Sequence, residues 1–489
     1  MSSNMPDDRL DARLLGMIGV ILLGGLLGIL NSTMAAVAID TLAATFDTSL
    51  STIGWTSTGF LLAVTATIPF TTWAVDRFGG KRLWLAGLAL FLAGSLGAGV
   101  AWDVGALIVF RVVQGFGAGL LDPLVLILLA RAAGPRRAGR VMGLMGVVLS
   151  LGPVLGPIAG GAVLAGLSWR WMFLLSVPFG LVALLLALRV IPADEPSAGS
   201  PARLDVVGLA LLGPGFAAVV LALSQTAEQG AFTAWQALLP LGAGLVLLLG
   251  YAVHALRAAR HAPGTPGAAS GDRRTPPLID LRLFASRGFT ASVAIMGLGG
   301  LALFAALFAL PLYYQQAHGH GVLAAGLLMA PLGLGGALAM PLAGQLSDRV
   351  GARGLAIGGA LVAGLSALAF TRIGADTPEL WPALAAFTIG LGSGCFSAPT
   401  MGSLYRALPP SMVAQGSSVL YMLNQLGAAL GVAVVTLILQ TTADVITGFH
   451  GIFWLVVAVI VIILAAVPLL PGRPRTQAVP AAEPARSAS

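Results

Sequence analysis

Fourteen apolar stretches, each long enough to cross a lipid bilayer, follow one another along this chain. A transmembrane helix needs roughly 20 consecutive and mostly apolar residues. Only 9% of the residues are charged, against about 25% in soluble globular proteins, so we predict an all-α polytopic membrane protein. The predicted spans are 14–38, 51–73, 83–101, 105–130, 141–166, 170–190, 206–223, 235–256, 288–313, 322–345, 354–371, 381–404, 415–439 and 449–470.

Basic residues lie in alternate connecting segments, which sets the expected orientation. One set of segments carries Lys81 and most of the arginines, and the opposite set carries only Arg170 and Arg372, at the edges of spans. Because basic segments stay in the cytoplasm, both termini are predicted to be cytoplasmic, and the even number of spans agrees because it puts both termini on the same side. We interpret the net charge of +7 as this topological signal, and nucleic acid is not expected as a partner.

A motif that occurs twice indicates two similar halves. DRFGGKR at 76–82 follows the second span, and DRVGAR at 348–353 follows the tenth. A repeated bundle suits a carrier whose halves rock about a site near the midplane, although any short cytoplasmic segment collects Arg and Asp. The predicted division has a six-helix bundle at 14–190, two inserted helices at 206–256, a second six-helix bundle at 288–470, cytoplasmic segments at 1–13, 191–205 and 257–287, and a disordered cytoplasmic tail at 471–489.

The stretch 104–130 contains two charges, Arg111 and Asp122, deep in an apolar sequence. A charge at the bilayer centre costs about 2.5–3.5 kcal/mol on insertion scales, so it should face a protein interior or a wet cavity. Eleven residues of helix make three turns plus about 20°, which places both charges on one face, about 16 Å apart along the axis. Arg111 is predicted to hold a polar network with Gln114, or to be a structural arginine satisfied by carbonyls. Asp122 is a candidate proton carrier, or it satisfies backbone groups next to Pro123.

Several local sequences resemble the signatures of one transporter family. Residues 76–82 form a loop signature that 344–351 repeats more fully, and RVVQGFG at 111–117 matches a fourth-helix signature. GPVLGPIAGG at 152–161 and PLIDLRLF at 277–284 belong to the same set. Together these motifs, which cover nearly the whole chain, resemble the major facilitator superfamily, and within it the fourteen-helix drug:proton antiporters of the QacA/EmrB type.

The resemblance marks residues 152–161 as the antiporter motif of helix five, which accompanies export rather than import. Glycines at a spacing of four make a smooth groove for a neighbouring helix, and the prolines bend the helix. The alternative is a packing face without a role in the mechanism. The motif residues are Gly152, Pro153, Gly156, Pro157, Gly160 and Gly161.

The two cytoplasmic loop signatures are candidate gates. Their charges can pair with one another or with helix ends when the cytoplasmic side is closed, and opening would break the pairs. Simple topogenic charge is the alternative interpretation. The candidate gating residues are Asp76, Arg77, Gly79, Lys81, Arg82, Asp348, Arg349, Gly351 and Arg353.

The first helix departs from the family pattern. The resemblance places a protonatable aspartate where this chain has Asn31, and Asp40 stands where a closing proline is usual. In helix thirteen, Asn424 replaces the arginine of the family run. An amide cannot titrate, so either Asp122 has taken over proton coupling or coupling is weak or absent. Amides at both places favour neutral, zwitterionic or amphiphilic substrates over strongly cationic ones.

These observations give two sets of candidate transport residues. For proton coupling we predict Asp122 and Arg111, with Asp40 as the next candidate. A wide apolar cavity with few polar anchors suits a loosely selective binder. The candidate substrate-cavity residues are Asn31, Thr33, Gln114, Tyr313, Tyr314, Gln315, Tyr421, Asn424 and Gln425.

The predicted function is secondary efflux of a hydrophobic or amphiphilic small molecule from the bacterial cell, in the inner membrane, by alternating access and proton antiport. No enzyme motif or metal-ligand cluster is recognised, and no cofactor is expected beyond the proton gradient as energy source. The expected partners are the substrate, protons and the lipid bilayer, and the family implies a monomer. The alternatives are an uncoupled or differently coupled exporter of a lipid or endogenous metabolite, and a membrane sensor or scaffold that does not transport.

Overall fold

The computed structural model describes residues 12–194, 203–260, 276–374, 376–442 and 444–470. Within these ranges the secondary structure is helical without a strand, and fourteen helices are long and apolar enough to cross a membrane. This confirms the predicted fold class. We number them α1 Leu14–Val37, α2 Leu50–Phe78, α3 Gly80–Gly99, α4 Val104–Gly134, α5 Arg137–Gly166, α6 Trp171–Val190, α7 Val206–Gln229, α8 Trp235–Ala258, α9 Arg287–His318, α10 Leu323–Val350, α11 Ala352–Phe370, α12 Leu380–Arg406, α13 Val413–Thr441 and α14 Val445–Leu469.

Several helices extend beyond the predicted spans. Helices α2 and α10 both continue five residues past the predicted end, to Phe78 and Val350. Hydropathy marks only the part of a helix that lies in lipid, whereas the backbone bonds of a helix are satisfied internally and can continue into water. A short helix, Ile39–Thr45, follows α1 on the outer side. Near their outer ends, α6 and α10 each contain one residue, Leu175 and Met329, at which the regular helical hydrogen bonding is interrupted although the backbone angles stay in the right-handed helical region.

The connection between α4 and α5 differs from the sequence prediction. The charged segment 131–140 separates two predicted spans, but in the structure it is helical on both sides of Gly134. Gly134 alone leaves the helical region, with φ 64° and ψ 172°. A residue with a Cβ rarely adopts such a positive φ, and glycine adopts it without strain. The two helices are therefore joined through a single residue.

Small residues bring the helices of the first half into close contact. A Cβ at Gly115 of α4 would lie 2.5 Å from the Phe60 carbonyl oxygen of α2. A Cβ at Gly94 of α3 would lie 2.5 Å from the Gln114 amide nitrogen of α4. Without side chains at these points, helix backbones approach closely, as is usual in membrane bundles. Helix α4 is thus held between α2 and α3 at the level of Arg111.

The cytoplasmic ends of the two halves repeat the same ion pair. Asp76 of α2 accepts a hydrogen bond from Arg131 of α4 at 2.9 Å. Asp348 of α10 accepts one from Arg406 of α12 at 2.6 Å. The second and fourth helices of each half are joined in the same way. The motif that occurs twice in the sequence therefore corresponds to an equivalent contact in each half of the structure.

A second repeated contact ties each loop signature to the last helix of its own half. The Lys81 ammonium group donates to the carbonyl oxygens of Leu188 and Ile191, at 2.7 and 2.8 Å, beside the end of α6. Arg353 donates to the carbonyl oxygen of Leu470, at 2.7 Å, beside the end of α14. In both cases a cation meets the carbonyl groups that a helix leaves unsatisfied at its C-terminus.

Helices α5 and α10, one from each half, are in contact from their cytoplasmic ends to their outer ends, and we call this contact the α5–α10 seam. At the cytoplasmic end, Asp348 of α10 accepts hydrogen bonds from the backbone amides of Gly139 and Arg140, at 3.0 and 2.9 Å. Further along, the Ser150 hydroxyl lies 3.3 Å from the sulfur of Met340. Near the outer end, a Cβ at Gly161 would lie 3.6 Å from Leu323.

The inserted helix α7 packs against both halves. A Cβ at Gly213 would lie 2.7 Å from the Ala66 carbonyl oxygen of α2, so the two backbones nearly touch. At its outer end, Gly230 lies against the side chain of Gln440, which belongs to α13. Helix α7 therefore covers the line where α2 and α13 meet.

Candidate functional site

A central cavity of about 300 Å³ lies between the two halves. It is lined by α1, α2, α4 and α5 of the first half and by α9, α10, α12 and α13 of the second. Among the described residues, Arg111 and Asp122 are the two charged groups in this lining. A separate hollow of about 400 Å³, at the outer ends of α2, α7 and α8, contains none of the predicted site residues.

Arg111 is fully buried and holds a polar network across four helices. Its Nε donates to the Thr56 carbonyl oxygen at 3.1 Å. Its Nη1 donates to the side-chain oxygens of Asn31, at 2.7 Å, and Gln114, at 2.5 Å. The Gln114 amide in turn donates to the Ser95 hydroxyl at 2.6 Å. The structure thus brings Asn31, Gln114 and Arg111 together, and all the partners are neutral.

Aromatic rings and unpartnered donors surround the rest of the guanidinium group. Its carbon lies 4.2 Å from the centre of the Phe60 ring and 5.6 Å from that of Phe173, distances at which a cation interacts with a ring face. In the part of the chain that the structure describes, Arg111 Nη2 and Ser57 Oγ have no hydrogen-bond partner. Both residues line the cavity. The network therefore leaves donors at the cavity that protein groups do not satisfy.

Asp122 lines the same cavity on the same face of α4, about 16 Å along the axis from Arg111. Within the described ranges its carboxylate receives no hydrogen bond and pairs with no cation. A Cβ at Gly28 of α1 would lie 3.8 Å from one of its oxygens. Tyr421 of α13 lines the cavity as well. Asp122 can therefore bind or release a proton without breaking an existing ion pair.

The predicted cavity residues divide into three groups. Thr33, Tyr421, Asn424 and Gln425 line the central cavity, and the Asn424 amide also donates to a backbone carbonyl of α9 at 3.3 Å. Asn31 and Gln114 are not in the lining but lie behind Arg111, as its hydrogen-bond partners.

The third group lies at the outer end of α9, away from the cavity lining: Tyr313, Tyr314 and Gln315. The Tyr313 hydroxyl donates to the Gly374 carbonyl oxygen at 3.1 Å, and His318 lies 3.0 Å from the same hydroxyl. Asp40 is also remote from the cavity, since it is exposed in the short outer helix Ile39–Thr45.

The glycines of the helix-five motif pack against α1. A Cβ at Gly152 would lie 2.6 Å from Ile29, and one at Gly156 would collide with the Thr33 hydroxyl. A Cβ at Gly160 would lie 3.4 Å from the backbone of Met34. The predicted groove thus receives α1, the helix that carries Asn31. Pro153 lines the cavity, and Gly161 faces the first turn of α10.

The first loop signature is anchored by a residue that the sequence analysis did not single out. Asp194, in the segment after α6, accepts hydrogen bonds from the backbone amides of Lys81 and Arg82 at 2.8 and 3.0 Å. It therefore caps the N-terminus of α3. The turn itself requires glycine, because Gly79 has a φ of 92° and its counterpart Gly351 has one of 91°. Arg77, Arg82 and Arg349 are exposed to solvent.

The cavity also contains hydroxyl groups that sequence reasoning missed. They belong to Ser32, Ser57, Ser150, Ser393 and Ser397. A single serine in an apolar helix has no distinctive spacing, so only the packed arrangement shows that these five face one space.

Comparisons with known proteins agree with this architecture. A family model described as Major Facilitator Superfamily matches residues 21–432. The chain is 37% identical over 434 residues to a multidrug resistance protein B homolog from Mycobacterium tuberculosis, covering 88% of this chain and 77% of that protein. It is 29% identical over 429 residues to the multidrug export protein EmrB of Escherichia coli, covering 87% and 80%.

A solved structure shares the fold. The chain superimposes on the proton:xylose symporter XylE, determined with 6-bromo-6-deoxy-D-glucose, with a TM-score of 0.64. The alignment covers 92% of this chain and 94% of the symporter, at 15% sequence identity. At this level of identity the likeness concerns the fold alone.

Proposed function

Because this chain belongs to the major facilitator superfamily, we propose that it is a secondary transporter that expels hydrophobic or amphiphilic small molecules, with drugs among them, by proton antiport. It is a multi-pass protein of the bacterial inner membrane. The relatives at 37% and 29% identity, a multidrug resistance homolog and a multidrug export protein, support export as the direction of transport.

One observation carries the proposal: a mostly apolar cavity is lined by both halves of the molecule. A substrate in this cavity would contact both bundles, so a rocking motion between them would change the side on which it is released. The cytoplasmic contacts between the halves support this mechanism. Asp348 binds the first turn of α5, and Thr72 donates to the Ser418 hydroxyl at 2.8 Å between α2 and α13.

For proton coupling, we place the carrier at Asp122. Its carboxyl group lines the cavity and has no partner among the described residues. Substrate and proton can therefore occupy the same space at different stages of the cycle, which is the requirement for antiport. Arg111 holds α1, α2 and α4 in register around this space and keeps a positive charge there.

A second function is favoured by Asn31. This amide accepts a hydrogen bond from Arg111 at the place where the family has a titratable acid, so α1 supplies no proton site. The alternative is an exporter of a lipid or endogenous metabolite that is uncoupled or differently coupled. A sensor or scaffold without transport is a further alternative.

The test is proton movement in proteoliposomes under an imposed pH gradient, with chloramphenicol as a neutral probe and ciprofloxacin as a zwitterionic probe. We expect probe-dependent proton flux in the wild type and its loss in Asp122→Asn. Asp40→Asn is the matched control, because it removes an exposed carboxylate outside the cavity.

Each result separates the candidates. Flux that persists in Asp122→Asn but is lost in Asp40→Asn would move the carrier to the outer helix. Probe transport without any proton flux would establish the uncoupled exporter. Neither transport nor flux with either probe, in correctly inserted protein, would exclude neutral and zwitterionic drugs of this kind as substrates.

A further inference from the structure

The Arg111 end of the central cavity is a buried cation without a buried counter-ion. Its partners are the Thr56 carbonyl oxygen and the amides of Asn31 and Gln114, all neutral. Among the described residues, the one carboxylate in the cavity lining is Asp122, about 16 Å further along α4. A buried charge is normally paired, because neutral partners compensate only part of its lost hydration.

Two donors on residues that line this end of the cavity have no partner in the described part of the chain. They are Arg111 Nη2 and Ser57 Oγ, and both are buried. Both residues line the cavity, and Arg111 Nε binds the carbonyl oxygen of Thr56, the residue that precedes Ser57 in α2. Buried polar groups in proteins are nearly always hydrogen-bonded, so two orphan donors on residues of one cavity lining indicate a site that a ligand's acceptor atoms complete.

The surroundings of these donors define the rest of the ligand. The Phe60 ring lies over the guanidinium group at 4.2 Å, and Met296, Leu303 and Phe304 line the facing side of the cavity. A cavity of this kind accommodates an aromatic or aliphatic body with one polar group fixed by the donors. The cation at one end and the carboxylate at the other also orient a charged ligand, because its anionic group is attracted to Arg111 and repelled by Asp122.

We propose that the cavity binds amphiphilic organic anions, whose carboxylate or sulfonate oxygens accept hydrogen bonds from Arg111 Nη2 and Ser57 Oγ. The apolar body of the anion extends from Phe60 towards the second half. This inference names the substrate class of the proposed exporter and rests on that function. It is tested by ligand binding in the absence of a proton gradient. The result of that test is therefore independent of whether transport is coupled to protons.

The experiment compares three naphthalene compounds that differ in charge. Radiolabelled 1-naphthylacetate is bound to the purified full-length chain in nanodiscs of zwitterionic lipid, which offer no anionic headgroup as competitor. Neutral 1-naphthylacetamide and cationic 2-(1-naphthyl)ethylamine are the competing ligands. We expect the carboxylate to bind roughly tenfold more tightly than the amide, because a hydrogen bond to a charged group contributes at least that factor, and the amine to bind most weakly.

Three variants locate the preference. Arg111→Gln should remove it while leaving the amide bound. Asn31→Asp should also remove it, because the new carboxylate would stand 2.7 Å from Arg111 Nη1 and neutralise the cation without changing the size of the side chain. Arg131→Gln removes an exposed cytoplasmic cation and should retain the preference.

The outcomes decide the proposal. Equal binding of all three compounds, binding of the amide or the amine alone, or no binding of any of them would overturn it. A carboxylate preference that survives both Arg111→Gln and Asn31→Asp would overturn the assigned donors. If Arg111→Gln does not fold, Asn31→Asp supplies the same test in a variant that keeps the arginine. Loss of the preference in a folded variant of either kind supports the proposal.

Discussion

At the scale of single residues, the geometry of Arg111 explains why an arginine occupies this position in α4. Its planar group donates from Nε to α2 and from Nη1 to both α1 and Gln114. A lysine ammonium group carries the same charge on one atom and cannot reach these acceptors in the same arrangement. The network therefore depends on the planar arrangement of the N–H donors in the guanidinium group as well as on its charge.

We expect Arg111→Lys to reduce export at least about tenfold, because hydrogen bonds to charged groups contribute about 1.5–3 kcal/mol each and more than one is lost. Export of a fluorescent probe from cells, normalised to the amount of protein in the membrane, is the measurement. Arg131→Lys is the matched control, since that arginine is 41% exposed and its pair with Asp76 contributes about 0–1 kcal/mol. Wild-type export in Arg111→Lys would show that charge alone suffices.

Sequence reasoning reached part of this site. A charge in an apolar helix must be satisfied within the protein, so a network around Arg111 and Gln114 followed from the chain itself. The partners Thr56 and Ser95 did not, because a backbone carbonyl and a lone serine carry no pattern. Tyr313, Tyr314 and Gln315 were predicted to line the cavity because they are polar residues in an apolar helix. Only the structure shows that they lie near the outer end of α9.

At the scale of elements, α5 is a helix with two glycine-bearing contacts. Towards the cytoplasm, a Cβ at Gly143 would lie 2.6 Å from the Met340 carbonyl oxygen of α10. In the middle, Gly152 and Gly156 lie against Ile29 and Thr33 of α1. The spacing of the glycines predicted a packed face, but not which helix packs on it, because the order of helices in the membrane is not contained in the periodicity of one of them.

Gly156→Ala should block export while membrane insertion stays normal, because its Cβ would occupy the position of the Thr33 hydroxyl and separate α5 from α1. Gly161→Ala is the matched control in the same motif. There a Cβ would lie 3.6 Å from Leu323, an ordinary contact, so export should be retained. Export by cells and protein level in isolated membranes are the two measurements, and equal export by both variants would contradict a role for the close contact.

At the scale of the whole molecule, the cytoplasmic end of the α5–α10 seam is closed by one carboxylate. Asp348 accepts two backbone hydrogen bonds at the N-terminus of α5 and a third from Arg406, and it is only 15% exposed. The positive end of the α5 dipole adds to the attraction. A group of the second half thus caps a helix of the first.

Removing this cap should favour opening towards the cytoplasm. Loss of a helix cap costs about 1 kcal/mol, and 1 kcal/mol changes an equilibrium by about a factor of five. We therefore expect Asp348→Ala to accelerate labelling of a Ser393→Cys cavity residue by an impermeant maleimide added from the cytoplasmic side, in a Cys395→Ser background. Asp76→Ala is the control, because the Asp76–Arg131 pair lies within the first half. Equal labelling rates in the two variants would contradict the closure.

The large-scale plan was the most predictable level of this protein. Hydropathy located all fourteen helices, and the repeated loop motif indicated the equivalent contacts of the two halves. The position of α7 across α2 and α13 was not predictable, since apolar composition describes how deep a helix lies in the membrane and not which neighbours it has.

The single-residue junction at Gly134 has a mechanical consequence. Helix α4 carries Arg111 and Asp122, and α5 forms the seam with the opposite half. A loop of several residues would let the two move independently, but here one pair of torsion angles must absorb any rotation between them. Helices α4 and α5 can therefore change their relative orientation mainly by rotation at Gly134. A displacement of the seam is therefore delivered to the charged wall of the cavity, and a ligand bound at that wall pushes back on the seam through the same residue.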